Sequence, residues 1–273
     1  MLPLFVGQDA LTLLVGLPLL LGSVWLARRG ALIGQLLWTG ALFYVLYDYG
    51  YYALGAPFNA LFVPYLALMS LSAYALIALV TSIDGAVIRE RIGGAVPARI
   101  VGAFLATVAI LFITLWTAMS VSAAASGSPL DPILRVVTTM HLTVQLPALL
   151  VGGFLLWRRQ PLGYVVAAGL LLQVVAYLVG LSAITLLQES VMRSPVDLVA
   201  VLPGFVVGAA GLVLIKPFVR GAAEVEPSPA RSRRRGASAP AWSRAFVGRD
   251  FNERRQDDGN EAKVQPSRGA RDR

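Results

Sequence analysis

IVGAFLATVAILFITLWTAMSV, residues 100–121, runs for twenty-two residues without a charged side chain. At about 1.5 Å of rise per residue, a helix of that length covers the roughly 30 Å hydrocarbon core of a bilayer. Six further stretches read the same way: Ala10–Ala27, Ala31–Ala53, Ala60–Ile83, Val136–Trp157, Leu162–Thr185 and Leu198–Phe218. Each must be helical, because a backbone facing lipid has to satisfy its own hydrogen bonds. None alternates as the strands of a membrane β-barrel do. The expected fold is an all-α integral membrane protein. Its seven-transmembrane-helix bundle fills residues 1–220, and a disordered basic tail follows over residues 221–273.

Composition agrees with that class. Hydrophobic residues make up 57% of the chain and charged residues 14%, and the mean hydropathy is +0.70. Such values exclude an ordinary soluble domain. There is no cysteine, so disulfides, thiolate metal sites and cysteine nucleophiles are excluded. The single histidine excludes multi-histidine zinc and bis-histidine haem sites within one chain. No cofactor is implied. The net charge of +8 does not point to nucleic acid, because the positive residues sit at span ends and in the tail. The tail, with its PSPARSRRRGASAP run, has too few apolar residues for a core. Its arginines suit anionic lipid headgroups, with Trp242 and Phe246 as weak anchors, and the plainer alternative is a solvated tail.

Orientation follows from the loops. Arg28 and Arg29, then Arg89, Arg91 and Arg99, then Arg158 and Arg159, then Lys216 and Arg220 fall on alternate connections. Only Arg135 and Arg193 fall on the others. The positive-inside rule then places the N-terminus outside and the C-terminus in the cytoplasm, in a plasma (inner) membrane. The first span lacks a positive leader and a small-residue cleavage site, so it reads as a retained helix.

Sliding the chain by 130 residues superposes Gly22 on Gly152, Arg28-Arg29 on Arg158-Arg159, Tyr47 on Tyr177 and Gly50 on Gly180. Pro18 and Pro147 miss by one position. This suggests repeats over residues 8–90 and 134–220 joined by helix 100–121, a 3+1+3 parallel plan; chance matches in an apolar alphabet are the alternative. In architecture the plan resembles the SWEET sugar transporters and their PQ-loop relatives. The Pro-Gln signature of that family is absent, since the residues here read Gln145-Leu146-Pro147 and Pro18-Leu19.

Ionisable and polar residues inside spans are the candidate site. Asp48 lies about five residues from the outer end of the second span, and His141 about five from that of the fifth. At matched depth they could pair. Tyr44 precedes Asp48 by one turn, Gln145 follows His141 by one turn, and Gln173 lies near mid-membrane. Gln8, Asp9, Asn59, Glu189 and Asp197 would line an outer rim. The functional expectation is an outward-facing vestibule for a cation, a proton or a hydroxylated small-molecule solute. The plainer one is an Asp–His pair that ties two helices together. The LFYVLYDYGYYAL stretch reads as an interfacial aromatic belt. No nucleotide loop, HExxH or GxSxG motif is present. Three functions fit, in this order: a small-solute transporter or permease, a receptor-like or accessory membrane protein, and a membrane-embedded enzyme working from Asp48 and His141.

Overall fold

The structure is a computed structural model, and it describes residue 9 and residues 12–128, 130–192 and 198–225. The positions of Gln8, Arg193, Asp197 and the tail beyond Val225 lie outside the described residues, as does the side chain of Glu189. By internal contacts the chain divides into units Met1–Pro227 and Ser228–Arg273, and all described residues belong to the first.

All regular structure among the described residues is helical. A π turn, Thr12–Gly16, leads into α1, Leu17–Arg28. There follow α2, Leu32–Gly55, then α3, Phe62–Ser82, then the short α4, Gly85–Ile92, and α5, Ala98–Ala125. Next, α6, Pro132–Met140, runs through a second π turn, His141–Gln145, into α7, Leu146–Trp157. The last are α8, Pro161–Met192, and α9, Leu198–Val225.

Five stretches are long and apolar enough to cross a membrane: α3, α5, the continuous Pro132–Trp157, and the main parts of α8 and α9. The chain is thus of the helical membrane class. The other two expected spans differ for physical reasons. Thr12–Arg28 is apolar but shorter. Helix α2 is long enough, yet it carries Gln35, Asp48 and five tyrosines, and most of it is buried inside the bundle.

α2 and α8 form the centre. They pack on each other, α2 also on α1 and α3, and α8 also on α7 and α9. At their crossing a Cβ on Gly40 would lie 2.5 Å from the Gly169 Cα, and one on Gly169 would lie 2.5 Å from the Gly40 nitrogen. Only glycine at both positions permits that approach. Gly102 and Gly153 join α5 to α7 in the same way.

α4 was not anticipated from sequence. Asp84 caps it, accepting from the Ala86 and Val87 amides at 2.9 and 3.2 Å. Ile88 and Ile92 enter the core while Arg89, Glu90 and Arg91 face outward. The helix lies at the basic end of the bundle, with Gly85 against Pro161 and Gly221 against Ala95 and Ile92. α9 continues past residue 220 to Val225, and Ala222 is fully buried.

Many local features recur 129 residues apart. The π turns do, as do the Leu-Pro pairs that follow them, Leu17-Pro18 and Leu146-Pro147. After α1, Arg29, Gly30 and Ala31 donate to the Trp25, Ala27 and Leu26 carbonyls; after α7, Arg158, Arg159 and Gln160 donate to those of Phe154, Leu156 and Leu155. Arg29 covers the Trp25 ring and Arg158 faces the Phe154 ring. Gly30 and Arg159 are both left-handed, at φ 82° and 55°. Gly34 sits against the backbone of residues 26 and 27, and Gly163 against that of 155 and 156. These features recur at 129 residues, the spacing at which Pro18 meets Pro147, against the 130 of the sequence comparison.

Candidate functional site

The polar residues of the bundle gather around α2, and the π turns explain how two of them are aimed. A proline inside a helix has no N–H to donate and crowds the carbonyl one turn back. The helix answers before Pro18 and Pro147 with a π turn, a distortion that recurs at functional sites. Thr12 heads the first turn and His141 the second.

His141 is 1% exposed. Its Nδ1 lies 2.8 Å from the Val137 carbonyl, which can only accept, so the neutral imidazole carries its proton there. The Tyr47 hydroxyl stands 2.9 Å from the same nitrogen. Three rings surround the imidazole: Tyr47 at 5.4 Å, Trp116 at 5.2 Å and Tyr177 at 4.9 Å between centroids. They come from α2, α5 and α8, so the histidine is held by three elements besides its own.

Asp48 is equally buried. The Thr12 hydroxyl donates to its Oδ2 at 2.8 Å and lies 3.2 Å from the Tyr44 hydroxyl. Thr12 thus bonds to Asp48, and Tyr47 and Val137 lie against His141. Asp48 and His141 both sit deeper than the sequence suggested, because α6 starts at Pro132 and α2 ends at Gly55. At about 1.5 Å per residue, His141 lies roughly 14 Å and Asp48 roughly 10 Å in from those ends. The expected aromatic belt is also different: Tyr44, Tyr47, Tyr51 and Tyr52 are buried in the bundle. At the end of α2, Tyr52 donates to Asp9 at 2.6 Å and packs on Tyr65.

Two narrow clefts lie against α8. One, about 250 Å³ of empty space, is lined by His141, Gln145 and Tyr177 with apolar Phe112, Leu149 and Val174 among others. The second, about 200 Å³, lies among α1, α2 and α8, with Gly16, Gly40, Tyr44, Gln173 and Ala176 in its walls. Gly16 is required there, since a Cβ would lie 2.7 Å from the Tyr44 ring. Neither lining contains Asp, Glu, Lys or Arg.

Buried polar atoms without a hydrogen-bond partner concentrate in the same region. Among the described residues they are Trp116 Nε1, Thr138 Oγ1, Gln145 Oε1 and both ends of the Gln173 carboxamide. Native interiors leave few such groups, and each calls for an explanation. The structure thus brings Gln145 beside His141 and Gln173 beside Tyr44. Thr12, Trp116, Thr138 and Tyr177 were missed by sequence reasoning. The prolines two residues after each π turn were the available signal for Thr12; Trp116 stands in an apolar run and gives none.

Fold and site together define a helical membrane protein with polar groups in its interior, Asp48 among them. No known family model, curated protein or solved structure matches the chain.

Proposed function

We propose that this is a small-solute permease of the plasma (inner) membrane, with seven spans, the N-terminus outside and the C-terminus in the cytoplasm. The observation that carries the reading is the set of unpartnered buried carboxamide atoms, Gln145 Oε1 and both ends of Gln173, beside two clefts against α8. An idle hydrogen-bonding group deep in an apolar slab costs stability and serves a structure only when something else bonds to it. We further read α1–α2–α3 and α6/α7–α8–α9 as parallel repeats joined by α5. The features that recur at 129 residues support this, and Gly40 and Gly169, themselves 129 apart, touch where a pseudo-two-fold axis would pass. Transporters built on parallel repeats bind their solutes between the halves, near the bilayer midplane.

The test is flux. The purified protein is reconstituted in phospholipid vesicles, and entry of glycerol, urea, hexoses, amino acids and salts is followed by stopped-flow light scattering. At least one solute should enter several-fold faster than in protein-free vesicles, and slow again with Gln145→Leu plus Gln173→Leu. If no member of the panel enters faster than the vesicle background, the permease reading is wrong.

A further inference from the structure

We infer that the cleft among α1, α2 and α8 is a binding site for a small uncharged solute that both donates and accepts hydrogen bonds, with the Gln173 carboxamide as its main recognition group. This deepens the permease reading and rests on it for biological purpose, though binding itself is separately measurable.

Chemistry narrows the ligand in three steps. The first concerns charge. An ion brought into a low-dielectric site needs a counter-charge, and no charged side chain lines this cleft. Asp48 is near in sequence to Tyr44 but is not among the lining residues, and its Oδ2 is engaged by Thr12. A cation, one of the solutes expected from sequence, is therefore disfavoured here. The second concerns hydrogen bonding. Gln173 is 0% exposed, and its N–H₂ and its carbonyl both lack partners, so it offers donors and an acceptor together. The group that answers both at once is an amide, a urea or a hydroxyl. The Tyr44 hydroxyl, steadied by Thr12, is the second polar group in the wall. The third concerns size. The cleft is narrow, so the solute has few heavy atoms.

The spacing of 129 residues explains why this side was chosen. Tyr44 and Gln173 are 129 apart, and so are Gly16 and Gln145. In the first half the last position of the π turn is glycine, and a tyrosine ring fills its space. In the second half both positions are glutamine, and three of their polar atoms stay idle. The duplicated framework thus carries one filled and one hydrogen-bonding version of the same pair.

The chain contains no cysteine, so a thiol can be placed in the cleft without background. Ala176→Cys puts it in the wall, in detergent-purified protein reacted with methyl methanethiosulfonate. Urea and glycerol should slow the reaction in a concentration-dependent way, and tetramethylammonium chloride and sodium acetate should not. Adding Gln173→Leu should weaken the protection about tenfold, with melting unchanged or higher. If the salts protect as well as urea and glycerol, or if Gln173→Leu leaves protection intact, the inference is overturned. Protection without vesicle flux would retire the permease reading and keep the site; flux that ignores Gln173→Leu, without protection, would do the reverse.

Discussion

Gln173 illustrates what one side chain can reveal. Each buried polar group left unbonded costs about 1–3 kcal/mol relative to its solvated state. Most single substitutions in a packed core destabilise it, by about 0.5–3 kcal/mol. Gln173→Leu should do the opposite, because it removes two unpartnered groups and keeps the volume of the side chain nearly constant. The expected outcome is a melting temperature in detergent raised by several degrees, together with loss of the function assigned to the cleft. That combination marks a residue kept for binding at the expense of stability. A clear fall in melting temperature would show that the carboxamide is bonded in the folded protein, and the case for the cleft would fall with it. Gln145→Leu should behave in the same direction with a smaller gain, since only its Oε1 is idle.

Glycine decides the packing of the central elements. Gly40 and Gly169 let α2 and α8 approach backbone to backbone, where the smallest added side chain meets the partner at 2.5 Å. Gly22, on α1, has nothing within 4 Å of the position a Cβ would take. Gly40→Ala should therefore destabilise by about 1–3 kcal/mol through overpacking. Gly22→Ala should be neutral or stabilising by up to about 1 kcal/mol, from helix propensity alone. Thermal unfolding of the two variants side by side checks the contrast, and equal effects would mean that α2 and α8 do not meet at these glycines. Sequence reading found the long elements well, because lipid permits little besides an apolar helix, and the stretch 100–121 lies inside α5 with a few residues to spare at each end. It missed α4, whose eight residues alternate two buried isoleucines with Arg89-Glu90-Arg91 and carry no span-length signal. It also missed the π turns, which depend on how a helix accommodates a proline rather than on any residue pattern. It named Asp48, His141, Gln145, Tyr44 and Gln173 as polar groups in apolar surroundings. It could not distribute them, because the face each side chain takes depends on packing that a single chain of letters does not encode.

For the molecule as a whole, charge and contact point to the same two ends. The corner at Arg29, helix α4, the corner at Arg158-Arg159 and the end of α9 near Arg220 lie on alternate connections, and Gly85–Pro161 and Gly221–Ala95 contacts bring three of them together. At the opposite end the close of α2 meets the start of α6, where Gly55 faces Val136. Connections rich in arginine are retained on the cytoplasmic side during insertion. The basic end should thus face the cytoplasm, and the end carrying Asn59 and Ser128 should face outward. The cysteine-free chain makes this directly measurable. Asn59, Gly94 and Ser128 are exposed, so a single cysteine at each is open to a membrane-impermeant maleimide. In intact cells Asn59→Cys and Ser128→Cys should label at once, and Gly94→Cys only after permeabilisation. The reverse pattern would invert the orientation while keeping the two-ended bundle, and with it a cleft reached from the opposite side. Labelling of Asn59→Cys and Gly94→Cys from the same side would break the bundle itself, because α3 could then no longer cross the membrane between them.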